Sequence, residues 1–488
     1  MEELRKRRAQ YMVVLCVSIG TMTLGAVASW PSPAFIKFSK NETGFIVTGE
    51  DISWIVSVNN FGFIAGSLAT RYTSDRLGRW ATIISSSLPY IIGTMIVAFG
   101  SEAWLLYVAR IFWGFGTGMM ATVVGMYVAE IADKEIRGRL SVCTKFMTNL
   151  GNLLTMSIGP VVSYRAMNYM LLVLPVCHFL ACLWIPESPY YYLKQGRADL
   201  AERELIKLRG YKNKEEFNEE LDSMKKAVTS EMRRESSTKE LVTSRRYRKA
   251  IIIAIGLKFT QIMTGAVIIK QYLGIIMQEA RVKMAVEHAL LIYGLTEFCV
   301  SIISSVLADR VGRRPLLFWS YLGTALSLGL VAIYFFFQEV INLNEESLRS
   351  FGFVTLLGVI LANIISTIGF NSVIYVIISE IFPLNVRSVA MTCLSILGGI
   401  FGFAVSKGFK NVRDICGLFG AFTIFTLVAV FGVFFVLMYV PETRGKSLTE
   451  IQVELQGDLY DSRGEKCTTK SNEDSHVLLH IETKETKS

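Results

Sequence analysis

Apolar residues in this 488-residue chain gather into runs of about 20, separated by short polar stretches that carry glycine, proline and charge. A helix rises about 1.5 Å per residue, so each run is long enough to cross the roughly 30 Å hydrocarbon core of a bilayer. Twelve runs fall near residues 11–30, 52–72, 81–100, 105–129, 141–162, 167–185, 250–276, 287–307, 316–337, 351–379, 389–409 and 415–440. They predict an all-α membrane protein of twelve transmembrane helices.

The polar stretches repeat at offsets of about 230 to 255 residues. Asp75-Arg76-Leu77-Gly78-Arg79 returns as Asp309-Arg310-Val311-Gly312-Arg313-Arg314, Glu130 with Arg137 returns as Glu380 with Arg387, and Pro186-Glu187-Ser188 returns as Pro441-Glu442-Thr443. The duplication divides the chain into six-helix halves over residues 1–185 and 250–440, joined by a charged linker with short helices over 186–249. The tail, 441–488, turns Lys/Glu/Ser/Thr-rich after Glu450 and is expected to be largely disordered. Two matching helical halves in a membrane are the layout of a secondary transporter, with the substrate held between them.

Composition narrows the classes. At 52% hydrophobic and 19% charged, with mean hydropathy +0.42, the chain is more apolar than soluble domains usually are. The formal charge of +9 raises the question of nucleic acid, but the basic residues fall in alternate loops and leave no continuous patch. By the positive-inside rule those loops, with both termini, face the cytoplasm of a multi-pass protein expected in the plasma membrane. The first apolar run is longer than a signal peptide's and is read as a retained span. Asn41-Glu42-Thr43 then lies outside as an N-glycosylation acceptor. Seven of the eight cysteines lie in or beside apolar runs at irregular spacing and read as small buried hydrophobes, Cys467 lies in the polar tail, and four histidines offer no ligand pair, so neither metal nor cofactor is expected. With no nucleotide-binding loop, an ATP-driven pump is disfavoured, and no enzymatic step is expected.

The repeated charges predict a gate. Asp75, Arg76, Arg79, Glu130 and Arg137 in one half face Asp309, Arg310, Arg313, Arg314, Glu380 and Arg387 in the other. They are expected to form an ionic latch across the cytoplasmic mouth, closed while the carrier opens outward and broken when it opens inward. The alternative is simple interfacial anchoring, for which any basic residue would serve.

The chain resembles the sugar porter branch of the major facilitator superfamily. The matching residues are Arg110, Tyr127 to Ile131 through Arg137-Gly138, Asp309 to Pro315, Pro186 to Pro189, Glu380-Ile381-Phe382 and Pro441 to Gly445, over about residues 11–455. Within that branch it is similar to the insect facilitated trehalose transporter-like proteins. The resemblance implies the major facilitator fold and alternating-access transport of a sugar, trehalose or hexose-like, with facilitated flux favoured over proton coupling.

The resemblance also marks where this chain departs. Hexose carriers of the family usually place a Gln in the fifth span, two Gln and an Asn in the seventh, an Asn in the eighth, Gly-Pro-x-Pro-Trp in the tenth and a Trp in the eleventh. Here the fifth span presents Lys145, the seventh keeps Gln261 but has Ile262 and Val267, and the eighth presents Glu297. The tenth reads Asn371 to Tyr375, and the eleventh has Gly399.

A polyol in an apolar cavity calls for uncharged groups that both donate and accept, and an intramembrane Lys or Glu is costly and so is a functional candidate by default. The candidate binding set is Lys145, Asn149, Asn152, Lys258, Gln261, Glu297, Asn363 and Tyr375. Lys145, Asn149 and Asn152 share one helical face, as do Lys258, Gln261 and Gly265. Lys145 and Glu297 are expected to pair across the pathway. Snorkelling of Lys145 and Lys258 toward the cytoplasmic ends is the alternative, and for Glu297 the alternatives are another lysine, a coupled proton or the substrate. Asn363, Ser366, Thr367 and Phe370 form a stripe that lines the pathway or serves packing. At the level of function the alternatives are a non-transporting sensor of the same fold and a carrier of a non-sugar polar solute.

Overall fold

The computed structural model describes residues 2–133, 135–209, 214–232, 241, 245–342, 351–446 and 448–456, and all regular structure among them is helical. The first half comprises α1 (Glu2–Ser29), α2 (Pro31–Ser39), α3 (Gly49–Ser57), α4 (Asn59–Arg76), α5 (Arg79–Phe99), α6 (Ala103–Ile131), α7 (Arg137–Ile158) and α8 (Tyr164–Cys182). The linker contributes α9 (Pro189–Lys194), α10 (Ala198–Arg209) and α11 (Lys214–Met232). The second half comprises α12 (Arg248–Met263), α13 (Ala266–Glu279), α14 (Val286–Val311), α15 (Arg313–Glu339), α16 (Phe353–Ile368), α17 (Phe370–Ile381) and α18 (Leu384–Tyr439), and α19 (Leu448–Gln456) follows.

Ten stretches are long and apolar enough to cross a membrane. The count of twelve is reached in two ways. Helix α7 falls outside those ten because Arg137, Arg139, Lys145 and its amides dilute it, yet it packs between α1 and α14. Helix α18, at 56 residues, is far longer than one crossing needs and divides at Gly417, whose φ of 68° interrupts it. Glu339 accepts the backbone N–H groups of Leu418 and Phe419 at 3.0 Å, capping the helix that restarts there.

Two expected spans, 250–276 and 351–379, are broken inside the bundle, while α1/α2 and α3/α4 run on through Trp30 and Val58, which keep helical dihedrals. Helices α12 and α13 part at Gly265, which holds φ of 74°. The α16/α17 break falls at Gly369, where Ser320 Oγ accepts the Phe370 N–H at 3.2 Å. Such breaks free backbone groups within the protein, and in transporters they line the pathway.

Close helix contact depends on small residues. Gly62 and Gly66 on α4 face Gly114 and Gly118 on α6, where an added Cβ would come within 2.0 to 2.2 Å of a facing carbonyl oxygen. The main buried core joins both halves through residues such as Phe35, Tyr272 and Phe409. A second core, including Leu257, Leu317, Ile377 and Val436, gathers the linker end of the second half with Leu241 and Tyr247 of the linker and Ile451 and Leu455 of the tail. Among the described residues the core that joins the halves is therefore distinct from the one at the linker end of the second half.

Linker and tail both pack on the bundle. The linker docks on the first half: Arg209 pairs with Asp133 and with Glu220, the latter at 3.0 Å, and Gln10 Nε2 donates to Asp133 at 3.1 Å. Disorder was expected from Glu450, yet α19 runs to Gln456 because Ile451 and Leu455, one turn apart, are buried and Gln452 Nε2 donates to the Ile381 carbonyl at 2.8 Å. The remainder of the tail, 457–488, lies outside the described residues.

Candidate functional site

Helix α17 organises the site. Ser372 and Tyr375, three residues apart, share one face of it. Lys258 on α12 donates to Tyr375 Oη at 3.1 Å and to Gln261 Oε1 at 3.2 Å, with its ammonium 4.7 Å from the Tyr375 ring centroid. Gln261 Nε2 in turn donates to Asn371 Oδ1 at 3.4 Å. From the other half, Lys145 on α7 donates to Ser372 Oγ at 2.8 Å. That hydroxyl also accepts from Ser304 and donates to the Thr367 carbonyl, both at 2.8 Å. Lys145, Lys258, Gln261 and Tyr375 are thus gathered where the halves meet, joined by Asn371 and Ser372. Neither lysine reaches for a helix end, so snorkelling does not describe them here.

The expected Lys145–Glu297 pair is replaced. Glu297 on α14 takes Lys270 of α13 at 2.9 Å, with the two side chains 15% and 13% exposed. Lys270 was missed because no periodicity distinguishes it from the other intramembrane lysines. Proximity of α13 and α14, which adjoin in the second half, decides the partner.

Asn149 and Asn152 turn into the first half. Asn152 donates to Asn149 Oδ1 at 3.4 Å and accepts from Ser29 of α1 at 2.6 Å. Asn363 lines a water-sized cavity with Thr264, Tyr293, Thr324 and Ser366, and its Oδ1 accepts from Thr367 at 3.4 Å. Gly399, where the resemblance calls for Trp, lies against α4: a Cβ there would sit 2.4 Å from Ile64 Cγ1, leaving no room for an indole.

The repeated charges close locally within each half. Arg79 grips Glu130 through Nε and Nη2 at 2.9 to 3.2 Å, donates to the Ser74 carbonyl at 2.9 Å and lies 3.7 Å from Asp75. Arg313 meets Glu380 at 3.4 Å, and Arg387 Nε donates to the Phe382 carbonyl at 3.3 Å. Arg76 donates to Tyr72, Arg314 donates to the Leu437 carbonyl at 2.6 Å, and Arg137 is exposed. The side chains of Asp309 and Arg310 lie outside the described set.

The sequence reading attached no role to the repeated Pro-Glu pairs. Glu187 accepts the N–H groups of Arg79 at 2.9 Å and Trp80 at 3.2 Å, capping α5, while Glu442 accepts those of Arg313 and Arg314 at 3.1 Å, capping α15. Both helices start after a glycine of positive φ, 98° at Gly78 and 104° at Gly312. At Gly78 a Cβ would fall 2.0 Å from the Glu187 carboxylate, so the turn and its cap require glycine together. Burial pushes the Glu187 carboxyl up. At Glu442 burial acts the same way, but backbone N–H donors from Arg444, Arg313, Arg314 and Thr443 outweigh it and hold the carboxyl below its usual range.

Among the described residues, the ion pairs between the halves lie at the far end from the linker. Glu50 of α3 takes Lys407 at 2.6 Å and Lys410 at 2.9 Å from α18, and Lys40 reaches Glu287 at 3.4 Å. Phe61 packs on Phe403 with ring centroids 4.5 Å apart, and Ser32 Oγ accepts the Gly274 N–H at 3.1 Å. This conformation is closed at the far end, while at the linker end Arg79 with Glu130 and Arg313 with Glu380 pair inside their own halves.

Comparison with known proteins gives the architecture its relatives. The profile of the family described as sugar (and other) transporter matches residues 15–455. A facilitated trehalose transporter of Polypedilum vanderplanki is 28% identical over 458 residues, covering 92% of this chain and 88% of that protein. Its counterpart in Bombyx mori is 28% identical over 446 residues, covering 91% and 86%. Among solved structures, the inward open xylose transporter of E. coli superposes with a TM-score of 0.75 at 20% identity, covering 91% of this chain and 99% of that one. The proton:xylose symporter bound to 6-bromo-6-deoxy-D-glucose gives 0.69 at 20% identity, covering 92% and 99%. With its duplicated helical halves in the major facilitator fold, and with the profile running through both of them, this chain belongs to the sugar (and other) transporter family.

Proposed function

We propose that the protein is a carrier of a sugar-like, polyhydroxylated solute that works by alternating access across the plasma membrane, by facilitated flux. The observation that carries this reading is the Lys258–Gln261–Asn371–Tyr375 cluster and the Lys145–Ser372 contact, polar groups held where the two halves meet. The relatives' names support a sugar, and trehalose first among them. Facilitated flux is favoured because Glu297, the carboxylate in the middle of α14, is held in an ion pair with Lys270 at 2.9 Å. The linker end is assigned to the cytoplasm with both termini, and the structure then corresponds to an inward-facing state. Asn41, exposed in the turn after α2, is assigned outside as a glycosylation acceptor.

Uptake of labelled trehalose and glucose into proteoliposomes, with and without an imposed proton gradient, tests the proposal. Saturable uptake that equilibrates without accumulation, unaffected by the gradient, is expected. Gradient-driven accumulation would replace facilitated flux with proton coupling.

A further inference from the structure

The two lysines of the site are more than polar donors. Lys145 approaches α17 from the first half and Lys258 from the second, meeting it at Ser372 and Tyr375 on one face. Neither has a carboxylate partner among the described residues, and the mid-span carboxylate nearest in sequence logic, Glu297, is committed to Lys270. A hydrogen bond to a serine or tyrosine hydroxyl needs no charge. A glutamine at either place would donate equally well without the desolvation that a membrane-embedded ammonium suffers. Two uncompensated cations, one from each half, therefore leave a positive field where a solute would lie, and a cleft with low-dielectric walls concentrates that field.

We propose that among sugar-like solutes the carrier prefers an anionic polyol, a sugar bearing a carboxylate or a phosphate, whose acidic group is held between Lys145 and Lys258 while Gln261 and Asn371 take its hydroxyls. This rests on the carrier reading and sharpens its substrate class. Charge-assisted hydrogen bonds are roughly twice as strong as neutral ones, so an anion would draw both ammoniums away from Ser372 and Tyr375. Because each lysine belongs to a different half, one bound anion would also tie the halves together, which a neutral sugar held by one half alone would not do.

The test is uptake by the full-length protein in proteoliposomes of labelled glucuronate, glucose 6-phosphate, glucose and trehalose at equal concentration. At least one anion should enter about tenfold faster than glucose, the equivalent of one charge-assisted contact. The two anion arms separate carboxylate from phosphate. Lys145→Gln and Lys258→Gln should each lower anion uptake about tenfold, while Lys145→Arg and Lys258→Arg, which keep the charge, should retain most of it. Thermal melting of each purified variant guards against misfolding.

Neutral sugars moving while neither anion exceeds protein-free liposomes would overturn the anion inference and leave the carrier reading standing. Anion uptake undiminished in both Lys→Gln variants would overturn it as well. If no solute moves, the carrier reading fails, and binding of labelled glucuronate and glucose 6-phosphate to detergent-solubilised protein decides what is left: binding lost in Lys258→Gln upholds the anion site alone, whereas binding kept in Lys258→Gln, or no binding at all, overturns the site as well.

Discussion

Glu297 and Lys270 lie 2.9 Å apart with little access to solvent, a setting in which losing one partner is far worse than losing both. Glu297→Gln alone is expected to destabilise the protein by on the order of 3–5 kcal/mol by leaving Lys270 unpaired with little access to solvent. The double change Lys270→Gln with Glu297→Gln should recover most of that, read as the thermal midpoint in detergent. Strictly additive losses would mean that the two do not interact. The same experiment with Lys145→Gln in place of Lys270→Gln should show no rescue, because Lys145 bonds to Ser372 instead. Sequence reasoning identified Glu297 as an intramembrane charge in need of a partner, but not the partner. Opposite charges on different helices carry no shared periodicity, and several lysines were eligible.

Elements show why the Pro-Glu repeats exist. The sequence marked Pro186-Glu187 and Pro441-Glu442 as equivalent, and in both halves the carboxylate caps a helix that begins far away in the chain, after Gly78 or Gly312. Glu442 is held below the usual carboxylate range, so its cap contributes stability at neutral pH and loses it as pH falls through the depressed folded-state value. Glu442→Gln should therefore lower the thermal midpoint at neutral pH and flatten its decline on the acid side. A full acid decline retained in Glu442→Gln would assign that decline to other carboxylates. Helix breaks were less legible than caps. The apolar runs at 250–276 and 351–379 read as continuous spans, because a single αL glycine at Gly265 or a non-helical Gly369 does not interrupt hydrophobic periodicity.

Seen whole, the molecule carries ionic contacts between its halves where the sequence reading did not look. The expected latch lay at the cytoplasmic mouth; the observed inter-half pairs, Glu50 with Lys407 and Lys410 and Lys40 with Glu287, lie at the opposite end. The two clasps have opposite expected effects. In a Cys416→Ser background, a cysteine placed at Phe403 should be labelled faster by an impermeant maleimide from outside once Glu50→Gln loosens the far end. Arg137→Ala, which removes a base proposed to latch the cytoplasmic mouth in the outward-facing state, should slow that labelling. Equal rates in both variants and the parent would deny either group a part in gating.

The sequence by itself determined twelve spans, the two-fold division and the repeated polar marks. Bilayer thickness sets a length, and duplication sets a register, and both are written along the chain. It also singled out Lys145, Lys258, Gln261 and Tyr375, since polar residues in apolar runs are visible one at a time. Which of them meet was decided only by tertiary structure. Asn149 and Asn152 turn toward Ser29, Glu297 takes Lys270, and the lysines converge on α17 because that helix, freed by the break at Gly369, stands where the two halves meet. Contacts between distant helices depend on how a small-residue interface or a broken span orients each face, and the linear pattern holds no record of that orientation.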